Sequence, residues 1–250
     1  MDGAFKDHFS SVARSYARHR PTYPKELFAF LAGLAPARDL AWDCATGTGQ
    51  AARELAPFFR RVVATDASSE QIAHAGPGPG VEYRVAPAEA SGLDDESADL
   101  VTVAQAAHWF DLPRFRAEAR RVLKPGGAIG VWTYNLLVAG PGVDPLIEEL
   151  YFHRLAGYWP PERKHVDEGY RSLEFGFEEV PAPAFRMTLM WNLEDVLAYL
   201  ATWSGAARFR EKEGRDPVEE FRPRFAAAWG DPKAPREIVW PLVLYAGRKG

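Results

Sequence analysis

Residues 39–52 read Asp-Leu-Ala-Trp-Asp-Cys-Ala-Thr-Gly-Thr-Gly-Gln-Ala-Ala. An apolar run ends in an acid, turns on two glycines and passes directly into residues that favour helix. The pattern predicts a strand, a tight loop and a helix start near Gln50. Asp43 falls at the predicted strand end. Gly47 and Gly49 supply backbone conformations that side-chain-bearing residues resist, and they let a ligand approach the main chain. Open α/β sheets bind ligands at such loops, beyond the carboxyl ends of their strands. A glycine turn also joins strand to helix where nothing binds, so the remainder of the chain decides between the two readings.

The remainder repeats the alternation. Leu27, Phe28, Leu31 and Leu34 mark the inner face of a helix over 25–34, with Pro24 before it. Residues 61–66 form a second strand that also ends in an acid, Asp66, after a helix over 50–59. Residues 81–85 alternate like a short strand, 97–104 are strongly apolar, and 128–134 make a fifth strand. A helix over 114–123 precedes it and stops at Lys124-Pro125-Gly126-Gly127. Strand and helix in strict alternation predict a parallel, doubly wound sheet. Asp66 lies 17 residues after Gly49, close to the spacing at which an acid meets a ribose in βαβ nucleotide sites. Its other reading is a helix cap, because Ser68, Ser69 and a predicted helix over 70–75 follow. Glu89 is either a solvated loop acid or a group that reaches a ligand base. The sequence Gln105-Ala106-Ala107-His108-Trp109-Phe110-Asp111 places exposed aromatics at a strand's carboxyl end, where they can wall a pocket. A satisfied structural histidine is the alternative for His108.

Beyond Tyr134 the pattern changes. Helix is predicted over 144–156 and broken at Gly157-Tyr158-Trp159-Pro160-Pro161. Residues 162–178 are polar and irregular and group Arg163, Lys164 and His165. Strands follow over 185–191 and 236–248, with helices over 193–203, 206–212 and 217–229 between them. At the other end, Phe9, Val12, Ala13 and Tyr16 suit one side of a helix, and residues 18–24 form a proline-stiffened arm. That arm is either solvated or a lid with Arg20 facing an anion. The expected organisation is a single domain over 1–250. It divides into a lid segment (1–24), a ligand-binding core (25–134), a helical cap that also supplies one sheet strand (135–235) and a last strand (236–250). Among 250 residues, 47% are hydrophobic and 26% charged, enough for one sizeable core. The net charge of −4 argues against nucleic-acid binding. The single cysteine, Cys44, excludes an intrachain disulfide and fits a reducing compartment. With no apolar signal core at the amino terminus and no apolar run near ~20 residues, the expectation is a cytoplasmic protein without a membrane span. It would act as a monomer or homodimer. No metal-ligand pattern stands out.

These residues resemble a family. The loop from Asp43 to Gly49, Asp66, Ala88-Glu89, the 105–110 loop and Arg121-Val-Leu-Lys-Pro-Gly-Gly127 fall where class I S-adenosylmethionine-dependent methyltransferases of the type 11 group carry their motifs. More narrowly, the chain resembles the trans-aconitate methyltransferase-like branch. That resemblance is carried by Tyr16 with residues 20–24, residues 107–111, Gly157-Tyr158-Trp159, Thr202-Trp203-Ser204 and Ile238-Val-Trp240. It departs from the family at Ala45, where glycine is usual. The resemblance implies a Rossmann-like, seven-stranded, mostly parallel doubly wound sheet with an antiparallel edge strand and a helical cap. It also implies S-adenosylmethionine as cofactor, leaving S-adenosylhomocysteine as product, and a small-molecule methyl acceptor. Main chain around Ala45, Gly47 and Gly49 would hold the methionine part of the cofactor, beside Asp43. Asp66 would hold the ribose hydroxyls, and Ala67, Ala88 and Glu89 the adenine. Gln105 and Ala106 would close the site, with Tyr16 and Arg20 folding over it. For the acceptor, Trp109, Tyr134, Trp159 and Trp203 are candidate walls. Arg163 is a candidate anchor alongside Arg20, His108 and His165. A carboxylate acceptor, giving an O-methyl ester, needs no base; for other acceptors His108 is the candidate base. Two other readings are carried forward. One is a binding module that keeps the cofactor and lacks the chemistry. The other is a dinucleotide-dependent oxidoreductase, against which stands Ala52 in place of the fingerprint's third glycine.

Overall fold

The structure is a computed structural model that describes residues 21–250. Its elements run α1 (Lys25–Leu34), β1 (Leu40–Cys44), α2 (Gln50–Leu55), β2 (Arg61–Asp66), α3 (Ser69–Ala73), β3 (Val81–Val85), β4 (Ala98–Ala104), α4 (Leu112–Val122) and β5 (Leu123–Tyr134). They continue through α5 (Asp144–Glu148), α6 (Arg163–Asp167), β6 (Glu178–Glu179), β7 (Phe185–Trp191), α7 (Leu193–Ala201), α8 (Ser204–Glu213), α9 (Pro217–Trp229) and β8 (Arg236–Arg248).

The chain divides into two compact units. The larger comprises Tyr23–Asn135, Glu162–Arg186 and Pro241–Gly250. Its sheet runs β3-β2-β1-β4-β5-β8-β6, parallel from β3 to β5 and antiparallel where β8 meets β5 and β6. This is the expected mostly parallel architecture with an antiparallel addition. Among the described residues there is one strand more than the seven expected, the two-residue β6. β1 is buried along its whole length and β4 along all but its last residue, as strands covered on both faces must be. That explains why apolar side chains dominate both, with the buried Asp43, Asp99 and Thr102 as the exceptions. α1 packs Leu27, Phe28, Leu31 and Ala32 inward. The sequence Lys124-Pro125-Gly126-Gly127, expected to be a turn, is instead the start of β5. Gly126 takes φ +72° there, and the segment exchanges main-chain hydrogen bonds with Lys249.

The registers align the strand ends. Cys44 stands opposite Thr65 and Val103, Asp66 opposite Val85, and Ala104 opposite Trp132. The residues just past these positions therefore share one sheet edge. β1 sits between β2 and β4, so the chain reverses its winding direction at β1. Crevices form at that switch point in doubly wound sheets.

The smaller unit comprises, among the described residues, Leu136–Pro161 and Met187–Trp240, together with residues 21–22. The helix expected over 144–156 is α-helical only through α5 and then widens to a π turn over Glu149–Arg154. The Leu155 N–H reaches back to the Leu150 carbonyl. α7 begins with a capping box between Asn192 and Asp195. α9 is capped by Asp216, which accepts from the Val218 and Glu219 N–H groups. The interior is aromatic: Tyr151 lies 4.3 Å from Trp159 and 5.4 Å from Trp203, centroid to centroid. A Cβ at Gly205 would stand 2.9 Å from the Trp159 ring, so only glycine lets that ring lie against α8. Among the described residues, no helix is long and apolar enough to cross a membrane.

Candidate functional site

The loop after β1 is built from left-handed main chain. Ala45, Gly47 and Gly49 take φ +54°, +56° and +82°. Three side chains hold it in this shape. Asp43 lies buried below it. Its Oδ2 accepts from the Thr46 hydroxyl at 2.5 Å and its Oδ1 from the Thr102 hydroxyl at 2.8 Å. Burial pushes the Asp43 carboxyl up to about 6, against the pull of those hydrogen bonds. From β2, Asp66 Oδ2 accepts the Gly47 N–H at 2.8 Å, and its Oδ1 accepts the Ser68 N–H at 2.9 Å. Asp66 therefore ties the β1 and β2 loops together, and the cap of α3 is Ser68, which accepts from the Gln71 N–H. Tyr83 lies behind Gly49. Its hydroxyl donates to the Gly76 carbonyl at 2.8 Å, and a Cβ at Gly49 would run into its ring and hydroxyl. Gly47 is open: a Cβ there would meet only Gln71 Oε1, at 3.8 Å. The loop is thus braced from behind by Asp43, Asp66 and Tyr83 and leaves its main chain approachable at Gly47. That shape fits a ligand laid along the backbone.

The neighbouring loops meet the same edge. Ala88 and Ala106 are buried in one apolar cluster with Cys44, and Ala45 packs against it. Ala67 is exposed immediately after Asp66. Glu89 neither floats in solvent nor stands apart: one carboxylate oxygen accepts the Asp111 N–H at 3.0 Å, joining its loop to the 105–111 loop. Glu118 fixes the same stretch by accepting from both the N–H and the hydroxyl of Ser91. Gln105 takes φ +57°, a strained conformation for a side-chain-bearing residue. Its amide is spent on β5, with Oε1 accepting from the Thr133 hydroxyl at 2.5 Å and Nε2 donating to the Tyr134 carbonyl at 2.8 Å. Gln105 therefore presents main chain, not its amide, to the edge.

His108 sits in the short turn that follows, with Trp109 largely exposed beside it at 4.7 Å between ring centroids. Its Nδ1 lies 2.8 Å from the Tyr170 hydroxyl. Burial lowers the imidazole to about 4, and the nearby positive charge of Arg163 and the neighbouring His165 push it the same way. The ring is neutral at physiological pH, so it supplies no cation, and its basicity is poor for a proton-abstracting role. α6 packs against this turn and carries Arg163, whose Nη2 donates to Asn135 Oδ1 at 3.0 Å. Asn135 Nδ2 donates in turn to Asp167 Oδ1 at 3.1 Å. Tyr134 is partly buried, its ring edge-on to Tyr23. Trp159 and Trp203 belong to the aromatic interior of the smaller unit. Tyr16 and Arg20 lie outside the described residues. Among the described residues, no three His, Cys, Asp or Glu side chains converge as metal ligands.

Three contributors escaped the sequence reading: Thr102, Tyr83 and Tyr170. Thr102 faces Asp43 across adjacent strands and is findable once β1 is paired with β4 in register. Tyr83 and Tyr170 carry no local signal, since their roles depend on contacts distant in the chain.

Residues 42–131 match the family described as "Methyltransferase domain". A Dictyostelium discoideum protein named "Putative methyltransferase" is 34% identical over 253 residues, covering 98% of this chain and 96% of the relative. A Saccharomyces cerevisiae protein named "Probable S-adenosylmethionine-dependent methyltransferase" is 30% identical over 131 residues, covering 48% of this chain and 44% of the relative. A solved structure from Anaeromyxobacter dehalogenans, described as a "Putative Type II Methyltransferase", matches with a TM-score of 0.87 at 47% identity. The match covers 92% of this chain and 97% of that one.

Proposed function

This chain belongs to the S-adenosylmethionine-dependent methyltransferases, and on that premise we propose that it methylates a small-molecule carboxylate at the carboxyl edge of the core sheet, forming an O-methyl ester. The observation that carries the reading is the left-handed loop 45–49, with its Gly47 N–H held by Asp66 at 2.8 Å. When bound, the cofactor supplies an electrophilic methyl group on a sulfonium. The chain's own residues bind and orient. Main chain at Ala45, Gly47 and Gly49 receives the methionine part. Asp66 accepts from the ribose hydroxyls with the lone pairs its two N–H partners leave over. Ala67, Ala88 and Glu89 border the adenine, and the strained main chain at Gln105 and Ala106 closes the reacting end.

Two features support a carboxylate acceptor. Such an acceptor is ionised at neutral pH, so no base is required, and a neutral His108 with low basicity suits that chemistry. Arg163, on the helix packed against the His108 turn, offers a cation for the acceptor, while Trp109 and Tyr134 offer apolar walls. The resemblance of residues 107–111, 157–159 and 202–204 to the trans-aconitate methyltransferase-like branch supports the same reading. The remaining work of the site is alignment and exclusion of water, which suffices for an in-line displacement between pre-formed reactants.

The test is transfer of labelled methyl from S-adenosylmethionine to a panel of small mono-, di- and tricarboxylic acids, with phenols and amines as controls. Base-labile label appearing with acids alone supports the proposal. Label on phenols or amines, with none on acids, contradicts it.

A further inference from the structure

We propose that Tyr170 is a positioning residue that fixes His108 as its Nε2–H tautomer, so that the imidazole presents a hydrogen-bond donor at the sheet edge. Tyr170 comes from the irregular stretch between α6 and β6, far from His108 in sequence. It is 4% exposed, and its hydroxyl reaches His108 Nδ1 at 2.8 Å. The main chain pays for that reach. Tyr170 takes φ +60°, directly after Gly169 at φ +61°. A non-glycine residue in this region persists only where its surroundings over-determine it, and such strain clusters at functional sites. Here the Tyr170 N–H donates to the His165 carbonyl at 2.8 Å, and the Leu173 N–H donates to the Tyr170 carbonyl at 2.9 Å. The ring is set between His108 and Phe175.

The direction of the hydrogen bond follows from the chemistry of its two partners. The hydroxyl's hydrogen-bond partner among the described residues is His108 Nδ1. A phenol O–H is a far stronger donor than a neutral imidazole N–H, and a bare imidazole nitrogen is a far stronger acceptor than a phenolic oxygen, so the hydroxyl donates and Nδ1 accepts. A neutral imidazole carries one proton. With Nδ1 accepting, that proton is on Nε2, which makes no hydrogen bond among the described residues. The charged and titratable groups facing His108 are Arg163, His165 and Glu162. The sum of burial and these neighbours keeps the ring uncharged. The tautomer assignment rests on the 2.8 Å contact between the hydroxyl and Nδ1 and on the chemistry of the two groups. Its use, donating to the acceptor or to the departing product, rests on the methyltransferase reading.

The experiment is ring-nitrogen NMR of uniformly 15N-labelled protein, with His108 assigned by the signal missing from His108→Gln. Wild-type protein is expected to show the Nε2–H pattern from pH 5.5 to 8, with an NOE from a slowly exchanging Tyr170 hydroxyl proton to the His108 ring. Tyr170→Phe should shift the tautomer ratio toward Nδ1–H roughly fivefold or more, the size of one net hydrogen bond. An Nδ1–H wild type, titration near pH 6.5, or absence of the hydroxyl NOE overturns the proposal. So does an unchanged ratio in Tyr170→Phe. The hydroxyl NOE is read in the wild type and decides the case if the variant fails to fold. Thermal shift with S-adenosylhomocysteine on the same samples reports separately on the methyltransferase reading, because the tautomer is read without ligand.

Discussion

Ala45 carries a positive φ of +54° in a loop whose other two left-handed positions are glycines. A side-chain-bearing residue there costs about 1–2 kcal/mol, of which glycine's greater unfolded-state freedom would give back about 0.5–1 kcal/mol. Ala45→Gly is therefore expected to raise the melting temperature of the apo protein by about 1–4 °C, while S-adenosylhomocysteine affinity is kept or improved. Scanning calorimetry with and without the ligand checks both, and a lower melting temperature with a lost ligand shift would show that the methyl group has a role of its own. Asp43 gives a second prediction. Its folded pKa, about 6, lies above the unfolded value of 3.8, so the native state holds the proton more tightly. Ionised Asp43 therefore weakens the fold above pH 6, and that penalty fades as pH falls from 6 toward 4. The stability of Asp43→Asn relative to wild type should rise between pH 4 and pH 7 by on the order of 3 kcal/mol. Urea unfolding at pH 4.5, 5.5 and 7 measures it; a difference that does not change with pH contradicts the burial argument.

Each end of the sheet has its own element-scale device. At the carboxyl end, Tyr83 of β3 fills the space behind Gly49, so the β1 loop and β3 are packed as one unit. Gly49→Ala should cost about 1–3 kcal/mol and weaken S-adenosylhomocysteine binding. Adding Tyr83→Ala should return part of both losses, a coupling readable in a double-mutant cycle; strict additivity would mean the two do not communicate. At the amino end, Lys124 Nζ lies 2.7 Å from the fully buried Asp99 Oδ1, while Asp99 Oδ2 accepts the N–H groups of Asp39 and Leu40. Lys124→Met leaves that carboxylate buried without its cation and is expected to cost about 3 kcal/mol. Ligand affinity should be unchanged, as measured by denaturation beside calorimetric titration. The motif Lys124-Pro125-Gly126-Gly127 was thus legible as family-typical, but its role as a clamp on β1 and β4 was not. Nothing in a local pattern shows that Lys124 meets Asp99, or that Gly126 and Gly127 continue a strand. Asp43, Asp66 and the 105–111 loop were legible because parallel strands declare their ends by a switch from apolar to polar residues. Tyr170 was not, because 162–178 has no periodicity and the contact to His108 spans 62 residues. The π turn over Glu149–Arg154 and the two-residue β6 are too short to leave a periodic trace.

At the scale of the whole molecule, the site follows from topology. A doubly wound sheet with β1 between β2 and β4 brings the loops after β1, β2, β3 and β4 to one edge. The larger unit holds the candidate site residues Asp43, Ala45, Gly47, Gly49, Asp66, Ala67, Ala88, Glu89, Gln105, Ala106, His108 and Arg163. The break in pattern after Tyr134 was visible in the sequence, yet Glu162–Arg186 groups with the core, where it contributes Arg163 and Tyr170. The chain leaves the core and comes back, and composition does not mark the return. The central claim is that the braced loop 45–49 and Asp66 form the cofactor cradle, and calorimetric titration of S-adenosylhomocysteine tests it most directly. Wild-type protein should bind with a Kd on the order of micromolar, about 8 kcal/mol, and Asp66→Ala should weaken binding at least about tenfold, roughly one charge-assisted hydrogen bond, while still unfolding cooperatively. No binding heat with the wild type, or wild-type affinity in Asp66→Ala, would contradict it.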